Sequence, residues 1–425
     1  MPMRERQLIF TPDLFTSRSY LNLHLNFESY QWYFLEASLT LYAMTLKDRL
    51  LRSGTESGND ETSILLLDGG VSTHLERLLR QQDVLPTEFE FSEIWSSSLL
   101  LHDRGQGLIQ QGHRDWIEAG SDIISSVTYQ CHFHEQTWPR DCEKLASVDD
   151  MHRLWTTGLQ LVLNAAAKCK PTPTRPIYTA ASSGCFGAAL ANGAEYTGNY
   201  QCLEPDSMQA LVDFHKRKID TIVSQHHDTS VDCLAIETVP SFVECQALAK
   251  LLAENPNLLP DSMACWISLS CHNETEVNDG TLLNDALNVL LTEIPASIVQ
   301  AIGLNCCHVQ YLPKLVDTLV HAIYNDATQT SHSPTRAICL YPNSGEEWDS
   351  PNQTWKEGTG VVTPSVMAQN MMNLVQQIHK TWKKLNNQTH RKVLEPYILI
   401  GGCCRTTPET ISSLRNLVDQ YLSYK

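Results

Sequence analysis

The stretch Ile298-Val-Gln-Ala-Ile-Gly-Leu304, followed at once by Asn305-Cys306-Cys307-His308, decides how the chain is read. A short, mostly apolar run bounded by polar residues has the pattern of a strand buried on both faces, the kind found in parallel sheets covered by helices. The residues that end the run then stand at the strand's carboxyl end, where parallel α/β folds place their chemistry.

The same grammar recurs along the chain. Seven further runs, at 64–67, 123–128, 177–181, 233–236, 265–269, 337–340 and 397–400, bring the number to eight. Helical patterns lie between them at 73–81, 148–168, 207–224, 241–254, 282–294, 312–327 and 363–385, and one more follows the last run at 407–421. Thr363-Pro364 and Thr407-Pro408 each read as an N-cap with proline at the first helical position. Eight strands, each followed by a helix, is the arithmetic of an α/β fold of the (β/α)8 TIM-barrel type. A doubly wound open sheet stays open as the alternative. The barrel is expected over 61–425, after an N-terminal extension, 1–60, that shows a period only over 33–51, ends in a polar run and is expected to be removable, the alternative being that its aromatic stretch 30–42 closes the bottom of the barrel or forms an oligomer contact.

Composition narrows the partners. The 425-residue chain is 42% hydrophobic and 19% charged, which is ordinary for a folded globular protein. Its 31 Lys and Arg against 48 Asp and Glu give a formal charge of -17, so phosphate backbones and anionic membranes are poor partners. Fourteen cysteines in so long a chain fit free or metal-bound thiols better than a disulfide scaffold. With no secretory h-region or apolar span in view, a cytoplasmic location is the expectation.

Each apolar run is followed by polar or reactive residues. Asp68-Gly69-Gly70 follows the first, Tyr129-Gln130 the second, Ser182-Ser183-Gly184 the third and Glu237-Thr238 the fourth. Ser270 follows the fifth, Tyr341-Pro342-Asn343 the seventh and Gly401-Gly402-Cys403-Cys404 the eighth. On a barrel the two Cys-Cys pairs share one rim, where three thiolates could meet one soft ion. Zn2+ is the natural candidate, with three protein ligands and one open position as in catalytic sites. Buried small thiols or a redox pair is the competing reading.

Asp68 and Glu237 form a second constellation, two carboxylates suited to an ammonium group. An N-cap and a surface ion pair are the plainer alternatives. Gly69 and Gly70 would let backbone N–H groups approach a carboxylate at the start of a helix. Gly105-Gln106-Gly107 lacks the preceding strand that a dinucleotide loop requires. His132, His134, Glu135, His226 and His227 are read as solvated loop or helix residues in preference to metal ligands, and Trp95, Trp116, Trp138 and Trp155 as packing, with a face toward a cationic ligand as the alternative for one of them.

Several of these segments resemble the homocysteine S-methyltransferases over about 64–421. The resemblance is carried by Asp68-Gly-Gly-Val-Ser-Thr-His-Leu-Glu76, Glu118-Ala-Gly-Ser-Asp-Ile-Ile124, Gly193-Ala-Glu-Tyr-Thr-Gly198 and Ile236-Glu-Thr-Val-Pro240, and by Gly303-Leu-Asn-Cys306 paired with Gly401-Gly-Cys-Cys404. It implies a zinc-dependent barrel that moves a methyl group from a sulfonium donor, S-methylmethionine or S-adenosylmethionine, to L-homocysteine, forming methionine. By the same resemblance Cys306, Cys403 and Cys404 are the zinc ligands, and Cys307 is an extra thiol. Asp68 and Glu237 then hold the homocysteine amino group, with Gly69, Ser126 and Tyr129 also at the substrate. The sequence departs from the family at Gly184-Cys185-Phe186-Gly187, where relatives commonly have proline.

With no dinucleotide fingerprint, S-methylmethionine is the favoured donor, its cation facing Tyr129, Phe186 and Tyr341. Two alternatives stay open: a related methyltransferase using betaine or acting on selenocysteine, and a non-catalytic barrel whose structural zinc takes Cys307 or His308 as a fourth ligand.

Overall fold

The computed structural model describes residues 45–51, 64–82, 94–132, 147–169, 175–200, 208–225, 230–329, 334–346, 348–349, 354–356, 359–361 and 363–424. The expected runs form eight parallel strands: β1 Ile64–Leu66, β2 Ile123–Ser125, β3 Tyr178–Gly184, β4 Cys233–Val239, β5 Ala264–Leu269, β6 Ala301–His308, β7 Ala337–Asn343 and β8 Ile398–Ile400. Hydrogen bonding runs in the order β1-β8-β7-β6-β5-β4-β3-β2. A parallel bridge between Leu67 and Ile123 then joins the first strand to the second. The sheet closes on itself, which makes the fold a (β/α)8 barrel and removes the open-sheet alternative.

Among the described residues its longer helices are α1 Leu46–Leu50, α2 Val71–Gln81, α3 Asp103–Ala119, α4 Val148–Lys168, α5 Met208–Ser224, α6 Phe242–Glu254, α7 Leu283–Glu293, α8 Leu312–Gln329, α9 Pro364–Thr389 and α10 Pro408–Ser423, and a single helical turn spans Phe186–Ala189. Among the described residues no helix is long and apolar enough to cross a membrane. Helix α3 has no counterpart in the sequence reading, because three glycines interrupt its pattern. One of them is a packing requirement: a Cβ at Gly105 would lie 2.2 Å from the Leu99 carbonyl oxygen. Gly105-Gln106-Gly107 is thus helical, as befits a segment that is no phosphate loop.

Strand β6 begins three residues later than its apolar run, because the Ile298 and Val299 N–H groups both donate to the Pro295 carbonyl in a turn. It also runs on through Cys306, Cys307 and His308, so the first thiol pair belongs to the strand itself. The barrel interior is filled by small side chains, including Ala180, Ala235, Ala264, Ala301, Ala337, Cys233 and Cys339, around the larger Trp266 and Tyr341. The outward faces carry Ile64, Leu66, Ile236, Ile302 and Ile338 against the helices. The period-two alternation of a strand separates these two cores.

Helix α1 lies inside the segment read as a removable extension. Leu46 and Leu50 are fully buried in the interior cluster with Leu65, Tyr178 and Tyr397. Arg49 Nη1 donates to the Tyr178 hydroxyl at 3.4 Å. Because Tyr178 opens β3, α1 closes the barrel at the strands' amino ends, away from the thiol-bearing rim. The compact unit accordingly starts at Met44, and a cut at residue 60 would remove part of its core. The aromatic stretch 30–42 lies outside the described residues. Leu46→Ala and Leu50→Ala are each expected to cost about 2–5 kcal/mol, the range for emptying a buried leucine site. Urea unfolding checks this, and an unchanged midpoint would show that α1 is no plug.

Candidate active site

Cys306 at the end of β6 and Cys403 and Cys404 after β8 bring their sulfurs within 4.8 Å of one another. The Cys306 and Cys404 sulfurs are 3.8 Å apart. The backbone is bent to achieve this. Cys306 adopts φ +51°, and β6 slips register against β7 between Asn305 and His308. Thr238 adopts φ +63° at a matching slip of β4 between Ile236 and Val239. Left-handed backbone costs a residue with a Cβ roughly 1–2 kcal/mol and persists only where the surroundings enforce it.

Here the enforcing group is Asn305. Its side chain accepts from the Thr238 N–H at 2.8 Å and donates to the Thr238 hydroxyl at 2.7 Å, tying the two bulges together. Asn343 Nδ2 donates to the Cys306 carbonyl at 3.0 Å. On the other strand, the Gly402 N–H donates to the Asp68 carbonyl at 2.9 Å. A Cβ at Gly70 would come within 2.6 Å of the Cys403 carbonyl oxygen, so the β1 and β8 turns approach closely only as glycine.

The other candidate ligands face elsewhere. Cys307 Sγ accepts the Cys271 N–H at 3.1 Å and lies 3.2 Å from the Asn305 carbonyl oxygen. His308 packs on Gly345, where a Cβ would sit 2.2 Å from its Nε2. Among the described residues, three thiols converge, and neither Cys307 nor His308 joins them. S–H donation from Cys306 and Cys403 holds the Cys404 thiol well below the ordinary range. The same sulfur contacts, with burial, push Cys306 up. One thiolate is therefore supported by its neighbours, whereas three together require a cation, and an all-sulfur donor set suits a soft ion such as zinc.

Two carboxylates share the same mouth. Asp68 accepts the Ser125 N–H at 2.6 Å, and burial, with the charge of Glu237 adding, raises its pKa to about 7. Glu237 accepts the Ser182 hydroxyl and is also raised by burial. Gly69, Ser126 and Tyr129 line this cavity together with the three thiols, and no Lys, Arg or His is among the described residues that line it. The Gly70 N–H is committed to Thr406 Oγ1 at 3.0 Å, which leaves Gly69 and the first turn of α2 to meet an anion.

Some expectations change. Phe186 is fully buried between Tyr200 and Phe214, so it offers no face to the cavity. Trp95 lines the cavity, its Nε1 donating to Glu76 at 3.2 Å, whereas Trp116 and Trp155 are core. His132 is buried, not solvated, while Trp138, His134, Glu135, His226 and His227 lie outside the described residues. Ser182 and Asn305 stood at strand ends without an assigned role. Glu195 and Tyr196 were visible only as members of the Gly193–Gly198 motif, whose place beside the thiols no spacing rule reveals.

Asn305→Ala leaves the Thr238 N–H unpaired and frees both bulges. It is expected to cost about 1–3 kcal/mol and to weaken the thiolate-to-cobalt absorption of protein titrated with Co2+. Unchanged stability and an unchanged titration would show that Asn305 does not hold the rim.

The sequence profile of the family described as homocysteine S-methyltransferase matches residues 65–418. A selenocysteine Se-methyltransferase of Brassica oleracea var. italica is 31% identical over 82% of this chain and 87% of its own. Homocysteine S-methyltransferase 3 of Zea mays is 29% identical over 86% of this chain and 96% of its own. Among solved structures, the oxidized form of the homocysteine methyltransferase MmuM from Escherichia coli superposes with a TM-score of 0.59 at 25% identity, covering 84% of this chain and 97% of that one. Its metallated form matches with the same TM-score of 0.59 at 24% identity, which speaks to the fold. With a barrel rim of converging thiols and a family match across almost the whole described barrel, this chain belongs to the homocysteine S-methyltransferase family of enzymes.

Proposed function

We propose that the protein methylates L-homocysteine to methionine, with S-methylmethionine as the methyl donor and zinc held by Cys306, Cys403 and Cys404. The observation that carries this reading is the meeting of three thiols and two buried carboxylates in one cavity that lacks basic side chains. Zinc bound there supplies a Lewis acid that keeps the homocysteine sulfur ionised, a state only about 3% populated for a free thiol of pKa about 8.5 at pH 7.

The chain's own residues do the rest. Asp68 and Glu237 receive the homocysteine ammonium, and Ser125 and Ser182 fix the two carboxylates in place. Gly69 and the start of α2 face the homocysteine carboxylate. Ser126 is locked by the Thr128 hydroxyl at 2.6 Å and by the Ser182 N–H at 3.1 Å, so it walls the amino-acid end. Tyr129 closes the same side. The acceptor sulfur then attacks the methyl carbon in line, and a neutral thioether leaves, which needs no general acid. Positioning carries much of the acceleration.

The absence of basic lining residues favours a cationic donor, and the compact S-methylmethionine asks less of the cavity than a nucleoside. A selenocysteine acceptor is the second reading, favoured by the likeness to the Brassica oleracea protein named for that activity. Betaine is a further cationic donor of the same kind. Initial rates with homocysteine and selenocysteine, each paired with S-methylmethionine, S-adenosylmethionine and betaine, test the assignment. Preference for S-methylmethionine and homocysteine is expected, and a clear preference for another pair replaces it.

Cys306→Ala, Cys403→Ala and Cys404→Ala are each expected to abolish zinc retention and turnover, while Cys307→Ala keeps both. Elemental analysis decides, and stoichiometric zinc in a variant of the three contradicts the ligand set. Asp68→Asn and Glu237→Gln should retain zinc and raise the homocysteine KM roughly tenfold or more.

The raised pKa of Asp68 gives this a sign: its carboxyl is largely protonated below about pH 7 and must lose that proton to hold an ammonium. The wild-type homocysteine KM should therefore fall as pH rises through about 7 more steeply than that of Asp68→Asn. Parallel profiles would remove Asp68 from the ammonium site.

A further inference from the structure

Asp68 and Glu237 account for one cation, yet the cavity holds a third carboxylate. Glu195 sits on the short 3-10 turn Ala194–Tyr196, on the same cavity wall as the cysteines. Its Oε2 is buried and has no hydrogen-bond partner among the described residues. The groups acting on this carboxyl are its own backbone N–H and the Cys404 sulfur, and no basic side chain is among them. Burial raises its pKa to about 7, the response of a carboxylate that lacks a counter-ion.

The turn that carries Glu195 is held rigidly. Gly193 and Gly198 take φ +80° and +64°. Asn278 Nδ2 donates to the Glu195 carbonyl at 2.7 Å. A Cβ at Gly187 would come within 2.5 Å of the Glu195 nitrogen, and one at Gly198 within 2.9 Å of the carbonyl oxygen of Pro240, in the segment that follows Glu237. A preorganised carboxylate with one buried, open oxygen in the cavity of the nucleophile's sulfur is a receptor for positive charge.

We infer that Glu195 is the donor-recognition residue of this site, its carboxylate facing the sulfonium centre whose methyl is transferred. The inference rests on the methyltransferase reading above. The choice of the sulfonium over another cation follows from position: Glu195 lines the same cavity as Cys306, Cys403 and Cys404, so a cation held by its carboxylate lies in the cavity of the attacking sulfur. In the transfer the acceptor thiolate donates an electron pair to the methyl carbon, and the carbon–sulfonium bond breaks with its electrons kept by the departing sulfur. Thiolate and sulfonium charges vanish together, leaving two neutral thioethers. Glu195 thus stabilises the charged donor more than the products, which favours donor capture and product release, so its loss should appear in the donor KM more than in kcat.

The test uses full-length zinc-loaded enzyme and Glu195→Gln with S-methylmethionine, and with an uncharged methyl arenesulfonate as the comparison donor. Equilibrium dialysis of S-methylmethionine without homocysteine gives a second readout. Glu195→Gln should weaken S-methylmethionine binding and raise its KM roughly ten- to a hundredfold, the size of a lost charge contact in a desolvated site. Zinc content, melting temperature, the homocysteine KM and the rate with the arenesulfonate should stay unchanged, and Glu195→Asp should recover part of the loss.

An unchanged donor KM, an equal loss with both donors, or loss of zinc would overturn the inference. If the wild-type enzyme moves no methyl group to homocysteine, the functional proposal fails by itself. Dialysis then still decides on Glu195, since a wild type that does not bind S-methylmethionine, or binds it no better than Glu195→Gln does, overturns its role.

Discussion

Negative charge held in a buried mouth, with no basic side chain among the described residues that line it, is the constraint from which the rest of this structure follows. Three sulfurs within 4.8 Å of one another and the carboxylates Asp68, Glu195 and Glu237 share a cavity lined by no basic side chain. Burial raises the pKa of all three carboxyls, so their ionised forms are disfavoured there unless positive charge is bound beside them. A protein keeps such an arrangement only where bound positive charge offsets it. A divalent metal, an ammonium and a sulfonium are three cations that match three groups of anionic side chains.

That arrangement depends on backbone geometry which the local sequence disfavours. Cys306 and Thr238 are held in left-handed conformations at neighbouring bulges, and the single side chain of Asn305 ties them together. Gly70 and Gly401 let the turns after β1 and β8 close on each other, so Asp68 and the Cys403-Cys404 pair line one cavity. The site is therefore a property of the closed barrel. At the opposite end, α1 fills the interior with Leu46 and Leu50, and the strand ends that carry the thiols rest on that filled core.

Much of this was legible in the sequence, for identifiable reasons. Strands buried on both faces read as continuous apolar runs, so all eight were visible, and the strand-end position of Cys306, Cys403, Cys404, Asp68 and Glu237 followed from them. Helix α3 was hidden because three glycines interrupt its pattern, and one of them, Gly105, answers to close packing against Leu99, a tertiary demand that local pattern does not encode. Helix α1 falls inside 33–51, the one part of the extension that shows a period, but its five residues are too few to mark it as part of the barrel. Phe186 looked like a mouth residue from its place after β3, yet the chain turns it inward onto Phe214. Asn305, Glu195 and Trp95 acquire their roles only when distant segments meet.

The central claim is that the three-cysteine centre keeps one position for the acceptor's sulfur. Zinc K-edge X-ray absorption of the purified protein, recorded with and without homocysteine, tests it most directly. Three sulfur neighbours plus one lighter atom should become four sulfur neighbours when homocysteine is added. A shell of four protein ligands that homocysteine leaves unchanged would make the metal structural and contradict the account.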